Sequence, residues 1–189
     1  MKLRSLLLAA LMASLSFPVL ADSYTIDTRH TFPVFEVDHL GFSTQRGRFN
    51  NVSGKIEIDT TKKQASVDVT IDANSIDMGL EAWNKAMKGE RYFNTEKFPT
   101  LRFVATQFDL DPDKAAAVTG DFTMLGVTRK VMLTMSKLRC AKHPMLPRNV
   151  CGADLQTTIK RSDYGMTYGT PGIGDEIRIM IPVEALKDS

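Results

Sequence analysis

Apolar and polar side chains alternate with a period of two along four stretches of the chain. Residues 52–59, 67–72, 155–160 and 176–181 place mostly Val, Ile or Leu at every second position. This alternation is typical of a β-strand that buries one face. Further strands are predicted over 31–39, 100–110, 117–124 and 130–138, with turn sequences such as Asp111-Pro112-Asp113 and Leu125-Gly126 between them. Many short strands joined by short turns predict an all-β antiparallel fold, either a sandwich or a barrel.

One segment interrupts this pattern with the spacing of an α-helix. Four apolar residues recur at intervals of four, three and four, which places them on one helical face. These residues are Ile76, Leu80, Trp83 and Met87. Ser75 can cap the start of the helix and Gly89 can end it, so the spacing predicts one helix over about 75–88.

The predicted strands direct a large set of apolar side chains to one face of the sheet. In a sandwich they would pack against a second sheet, whereas a closed barrel of about eight strands could enclose one elongated apolar ligand. Alternation alone does not separate a filled interior from a cavity. The residues predicted to line the interior are Phe35, Val37, Val69, Ile71, Phe103, Phe122, Met124, Leu133, Met135, Ile179 and Ile181.

The first residues, 1–21, have the pattern of a secretory signal peptide. Lys2 and Arg4 precede an apolar run over 6–15, and small residues near Ala21 offer a cleavage site. The run is too short to span a bilayer, which needs about 20 apolar residues. We therefore expect an exported protein cleaved after Ala21, with 22–189 as a single domain and no transmembrane segment.

Removing the signal peptide changes the charge balance. Of the 24 basic residues, Lys2 and Arg4 lie in the signal, which leaves 22 against 22 acidic residues. A neutral domain lacks the concentrated positive field that binding to nucleic acid needs. We therefore expect no nucleic-acid partner.

Two cysteines, Cys140 and Cys151, lie eleven residues apart. In an oxidising compartment the simplest interpretation is a disulfide that pins a hairpin connection. The alternative is a metal site formed with His143. A fourth ligand is not evident in the sequence, so the disulfide is favoured and no metal is expected.

The sequence presents no familiar catalytic set. A G-x-S-x-G elbow, an H-E-x-x-H pair and a phosphate-binding glycine loop are all missing from it. Asp27 with His30, and Asp38 with His39, could pair, but such pairs in a β protein are more often satisfied hydrogen bonds. We expect neither an enzyme nor a cofactor.

Several segments of the chain carry specific motifs. They are the runs Phe35-x-Val37-x-His39-Leu40-Gly41, Tyr92-Phe93-Asn94-Thr95-x-Lys97-Phe98-Pro99, Gly126-Val127-Thr128 and Arg161-x-Asp163-Tyr164-Gly165-Met166. In these motifs the chain resembles the YceI family of bacterial periplasmic proteins. The similarity runs in order through the whole of 22–189.

The resemblance implies a lipocalin-like barrel with one short helix packed across it. It further implies a periplasmic protein, often a homodimer, that sequesters or carries a long polyprenyl or quinone-like isoprenoid in its interior. The alternative is a filled barrel that partners an envelope redox or membrane protein.

Two roles remain open for the helix, because an apolar helix face needs burial in both. It could gate access to the barrel, or it could be a permanently packed plug. Many relatives carry Arg-Asp-x-His-Leu where this chain has Trp83-Asn84-Lys85-Ala86-Met87. A head-group contact by those charged residues is therefore not expected here.

Overall fold

The structure is a computed structural model that describes residues 21–59, 61–62, 64–109 and 117–189. The predicted signal peptide, apart from Ala21, lies outside the described residues, as do Leu110 and the predicted turn at Asp111-Pro112-Asp113. None of the helices in the described ranges is both long enough and apolar enough to cross a bilayer.

Strands dominate the described residues, with one α-helix between the sixth and seventh. The strands are β1 (Asp22–Ile26), β2 (Val34–His39), β3 (Ser43–Phe49), β4 (Val52–Asp59), β5 (Gln64–Asp72), β6 (Ile76–Asp77), β7 (Thr100–Asp109), β8 (Ala117–Met124), β9 (Val127–Lys142), β10 (Asn149–Lys160) and β11 (Ile173–Lys187). The helix is α1 (Glu81–Lys88), and short 3₁₀ turns occupy Ala73–Ser75 and Arg161–Tyr164.

Eight strands close into an antiparallel barrel in the order β1-β4-β5-β7-β8-β9-β10-β11. The first and last strands complete the ring, with Tyr24 opposite Lys187 and Ile26 opposite Ala185. The predicted all-β antiparallel barrel with one helix is thereby confirmed, and the sandwich alternative is excluded.

The long strand β11 has two successive partners on one side. Its C-terminal part pairs with β1, whereas its N-terminal part pairs with β2, where Ile179 lies opposite Phe35. From β2 the sheet continues through β3 to β6. We call the end of the barrel with the β2–β3 turn and α1 the upper end, and the end with the β4–β5 and β9–β10 turns the lower end.

A non-strand segment over 27–33 separates β1 from β2. The Thr31 hydroxyl donates to the Glu184 carbonyl (3.2 Å) and accepts from the Glu184 amide (3.1 Å). The predicted strand over 31–39 therefore begins only at Val34, because the side chain of Thr31 takes the place of a strand hydrogen bond.

The predicted helix over 75–88 is wrong at its start. Ile76 belongs to β6, where it pairs with Phe49 and is buried, and Ser75 closes a 3₁₀ turn capped by the Asp72 carboxylate. Gly79 has a φ of +78°, a left-handed conformation that no helix contains. The α-helix therefore begins at Glu81 and ends at Lys88, before Gly89 as predicted.

The hairpin of β9 and β10 carries the predicted disulfide. Cys140 lies directly opposite Cys151 and is bonded to it, which confirms the disulfide and excludes a metal site made with those sulfurs. His143 instead accepts hydrogen bonds at Nδ1 from the amides of Met145 and Leu146, both at 3.0 Å. The imidazole therefore shapes the turn.

Candidate functional site

A cavity of about 450 Å³ runs along the inside of the barrel. At the lower end its wall includes Ile26, Ile58 and Ala65, all buried, and at the upper end it reaches Trp83 and Ile173. The wall is almost entirely apolar, because the inward positions of the strands carry Val, Ile, Leu, Phe and Met. Such a cavity suits an elongated apolar molecule.

All eleven residues predicted to line the interior lie in the wall of this cavity. They are Phe35, Val37, Val69, Ile71, Phe103, Phe122, Met124, Leu133, Met135, Ile179 and Ile181. Met124, Leu133 and Met135 are buried, whereas Phe35, Val69 and Phe103 are partly buried and packed against the core. Contact between these residues and a ligand stays a prediction.

Three phenylalanines from different parts of the chain pack together in the wall of the cavity. Phe49 meets Phe93 edge to face with ring centroids 5.4 Å apart, and Phe35 lies 6.0 Å from Phe49. A Cβ at Gly47 would stand 2.5 Å from Cζ of Phe35. Glycine at position 47 thus allows the Phe35 ring to pack closely against β3.

A buried positive charge lies in this mostly apolar wall. Arg161 is only 2% exposed and lines the cavity at the upper end. Its guanidinium donates to four main-chain carbonyls, those of Met166 (3.2 Å), Tyr168 (2.9 Å), Ile173 (2.9 Å) and Gly174 (2.8 Å). Burial lowers the pKa of Arg161, and the nearby Asp175 and Tyr92 oppose that shift.

Sequence reasoning missed Arg161 as a wall residue, although the signal is present. The inward alternation of Leu155, Thr157 and Ile159 continues to position 161. The four carbonyls come from the segment after the 3₁₀ turn, so the side chain fastens that loop to the barrel. The same reasoning would have found His39, which follows Phe35 and Val37 on β2 and also lines the upper end.

The residues predicted to form a gating face divide between two elements. Trp83 and Met87 lie on α1 and line the upper end of the cavity, together with Ala86, which the sequence analysis did not select. Ile76 is in β6 and packs in the core, and Leu80, at the helix N-terminus, is 53% exposed. The prediction of one shared helical face is therefore wrong for Ile76 and Leu80.

The Asp27 and His30 side chains pair as the sequence allowed, with Asp27 Oδ2 2.8 Å from His30 Nδ1. The Arg29 amide and guanidinium also donate to Asp27, at 3.0 and 3.3 Å. Burial raises the pKa of Asp27, but these hydrogen bonds outweigh it and hold the pKa at about 2. The buried carboxylate is thus fully engaged in holding the turn between β1 and β2.

Comparison with known proteins gives matches along most of the chain. The family described as YceI-like domain matches residues 24–185. A UPF0312 protein of Shewanella denitrificans is 31% identical over 189 residues, which cover 97% of this chain and 98% of that protein.

Solved structures share the barrel fold. A YceI protein of Campylobacter jejuni aligns with a TM-score of 0.71 at 21% identity, covering 99% of this chain and 100% of that one. A polyisoprenoid binding domain from Saccharophagus degradans, implicated in plant cell wall breakdown, aligns with a TM-score of 0.59 at 18% identity. That alignment covers 89% of this chain and 99% of the domain.

Proposed function

This chain belongs to the YceI-like family, and on that premise we propose that it sequesters or carries a long isoprenoid lipid in its barrel cavity. The observation that carries the proposal is a closed barrel with an elongated, almost wholly apolar cavity of about 450 Å³. The polyisoprenoid-binding neighbour with the same fold supports the isoprenoid class. The size of this cavity favours a carrier over a filled barrel that partners an envelope redox or membrane protein.

Binding in such a cavity is driven by burial of the hydrocarbon chain. Each buried methylene contributes about 0.8 kcal/mol, so a five-carbon isoprene unit contributes roughly 3 kcal/mol before the cost of ordering the chain. Affinity should therefore rise with chain length until the cavity is full. The process needs no covalent chemistry and no cofactor.

The ends of the cavity differ in polarity, which suggests an orientation for the ligand. Arg161, His39 and Gln45 line the upper end, whereas Ile26, Ile58 and Ala65 line the lower end. A polar head is best accommodated near the first group, and the end of the hydrocarbon tail near the second. This orientation places the head close to α1.

The signal pattern over 1–21 supports a periplasmic location for this carrier. There the Cys140–Cys151 disulfide would be maintained. We therefore propose that the protein handles isoprenoids within the cell envelope.

The experiment begins with protein purified without added lipid and analysed by native mass spectrometry and solvent extraction. We expect stoichiometric isoprenoid. The delipidated protein is then titrated with isoprenoid alcohols of increasing length, and with straight-chain alcohols of equal carbon number as controls. Equal affinity for short and long isoprenoids, or failure of the delipidated protein to bind any, would contradict the proposal.

A further inference from the structure

Large apolar side chains that are exposed to solvent gather at the upper end of the barrel. The described residues include seven such side chains. Five of them belong to the β2–β3 turn, to α1 and the residue just before it, or to the loop before β11. We call these five residues the rim cluster, and they are Leu40, Phe42, Leu80, Trp83 and Tyr168. Their exposed fractions are 54%, 88%, 53%, 40% and 45%.

Contacts join the parts of the rim cluster into an arc beside the cavity. The Leu40 amide donates to the Gly172 carbonyl (2.8 Å), which ties the β2–β3 turn to the loop containing Tyr168. The Arg91 guanidinium lies 4.8 Å from the centroid of the Tyr168 ring and donates to its hydroxyl (3.1 Å). Arg91 follows α1, whose Trp83 lines the upper end of the cavity.

The fold does not require the apolar residues at the tip of the β2–β3 turn. Leu40 and Gly41 have φ values of +59° and +72°, the left-handed geometry of a tight hairpin turn that favours Asn-Gly. Leu125 and Gly126 form a similar turn, but Leu125 packs against the core. Leu40 adopts the same unfavourable conformation and remains exposed, so its side chain contributes little to the core.

The side chains around the rim suit the surface of a bilayer. Trp and Tyr prefer the interface between water and lipid, and Phe and Leu insert among the acyl chains. Over 81–91, Lys85, Lys88 and Arg91 exceed Glu81 and Glu90 by one positive charge, so the α1 side of the rim complements anionic head groups. The exposed Asp38 carboxylate, at the base of the β2–β3 turn, accepts a hydrogen bond from the Gly41 amide (2.9 Å).

We propose that the rim cluster docks the upper end of the barrel onto a bilayer that contains anionic lipids. Phe42 and Leu40 would insert, and the cavity would face the membrane, so that an isoprenoid moves between bilayer and barrel without crossing water. This inference rests on the proposed carrier function. It adds the partner surface and the end of the barrel through which the lipid passes.

Flotation with phosphatidylethanolamine and phosphatidylglycerol vesicles tests the docking, and the chain offers a matched control. Phe42→Ser removes the side chain at the tip of the turn, and Met145→Ser removes one that is almost equally exposed, at 84%. Met145 lies at the lower end, because β11 pairs Ile173 with His39 and Leu186 with Val150. The two tips are therefore about 40 Å apart along β11.

We expect Phe42→Ser to weaken vesicle binding at least tenfold and Met145→Ser to change it less than twofold.

Leu40→Asn should keep or raise the melting temperature, because Asn tolerates the left-handed conformation, and should still weaken vesicle binding severalfold. Binding of the wild type should also fall severalfold as salt rises from about 0.05 to 0.5 M, because screening weakens the attraction of basic side chains to anionic lipids.

A second measurement separates membrane docking from isoprenoid binding in the cavity. Binding of a soluble isoprenoid alcohol should be unchanged in Phe42→Ser, whereas lipid transfer from vesicles should be slower. The docking proposal is wrong if Phe42→Ser floats with vesicles like the wild type, or if both serine variants lose vesicle binding equally. It is also wrong if Phe42→Ser converts a dimer to a monomer and no form binds vesicles, since the rim cluster would then cover a second copy. Loss of alcohol binding with docking intact would contradict the carrier function alone.

Discussion

The ring of Phe103 lies against the main chain of Gly120 on the neighbouring strand β8. A Cβ at position 120 would stand 2.5 Å from Phe103 Cζ and 2.6 Å from the Val104 carbonyl oxygen. Both distances are shorter than any normal carbon contact. Glycine at position 120 thus sets the position of a phenyl ring in the cavity wall.

The first prediction concerns this contact. Gly120→Ala should destabilise the fold by about 1–3 kcal/mol, because the added methyl must displace the Phe103 ring and the main chain of β7. Denaturant unfolding measures the loss. Gly89→Ala is the comparison, because a Cβ at that exposed position would stand 3.3 Å from the Ala86 carbonyl oxygen, a much looser contact. Its loss of stability should be less than about 1 kcal/mol. Equal stability of the two variants would refute the close contact.

The second prediction tests the assignment of faces on β9. Met135 is 7% exposed and lines the cavity, whereas Ser136 points outward and is exposed. Met135→Gln should weaken isoprenoid binding at least tenfold and cost about 1–3 kcal/mol of stability, because an amide is buried among apolar groups. Ser136→Gln should change neither by much. Equal loss of lipid from both variants would mean that the faces are wrongly assigned.

A comparison of Phe103→Asp with Arg102→Asp looks equally suitable in the sequence, since the two residues lie on opposite faces of β7. Arg102 is not a neutral control, because its guanidinium forms two hydrogen bonds to the Asp68 carboxylate, at 2.9 and 2.5 Å. An aspartate at position 102 would face another carboxylate.

The third prediction concerns the disulfide. Thiol titration of the denatured, unreduced protein should find no free cysteine. Replacing both Cys140 and Cys151 by Ala should lower the free energy of unfolding by up to about 3 kcal/mol, the expected effect of a cross-link that closes a short loop. Reduction of the wild type should have a similar effect in urea unfolding. Two reactive thiols in the unreduced protein would contradict the bond.

The fourth prediction is a dependence of stability on pH. The folded pKa of Asp27 is about 2, below its ordinary value of 3.8, so the carboxylate stabilises the fold above about pH 4. That stabilisation should be lost as the pH falls from about 4 to 2. Asp27→Asn should cost about 1–2 kcal/mol at pH 7, and its stability should depend less on pH across this range.

A surface carboxylate provides the control for Asp27. Asp121 is paired with Lys130 at 2.9 Å on the outside of the barrel, and such exposed pairs contribute little. Asp121→Asn should lower stability by less than about 0.5 kcal/mol. If Asp27→Asn behaves in the same way at pH 7, the hydrogen bonds from Arg29 and His30 do not stabilise the turn.

The fifth prediction concerns the helix as a gate. Trp83 is the sole tryptophan, is 40% exposed and lines the cavity, so its fluorescence reports on α1 directly. Adding isoprenoid to delipidated protein should shift the emission to shorter wavelength as water leaves the ring. A disulfide engineered between α1 and β3 should slow uptake. Unchanged emission at saturation, with normal uptake in the cross-linked protein, would identify α1 as a fixed plug.

Strand alternation was sufficient to identify eleven of the side chains that line the barrel interior. A strand directs every second side chain inward, so Val69 and Ile71 on β5, or Ile179 and Ile181 on β11, follow directly from their spacing. The strand β3 gave no such signal, because its inward positions include Gln45 and Gly47. Those positions lie at the upper end, where a polar group lines the cavity and a glycine makes room for Phe35.

The disulfide shows what alternation cannot reveal. Counting from the inward Met135, strict alternation would point Cys140 outward, away from the inward Cys151. Lys137 has a φ of +54°, and the pairing shifts there so that two residues of β9 face one of β10. This bulge turns Cys140 to the face of Cys151. Nothing in the local composition marks Lys137 as a bulge residue.

The pairing of β1 with β11 has a consequence for how the barrel forms. These strands are the first and the last along the described chain, so their contacts span more than 150 residues, as between Tyr24 and Lys187. Closing this loop costs conformational entropy before its contacts form, and topologies rich in distant contacts fold slowly. Until β11 has been synthesised, the growing sheet has open edges and an uncovered apolar face, both of which invite aggregation. Only the last strand joins those edges and shields the interior from water.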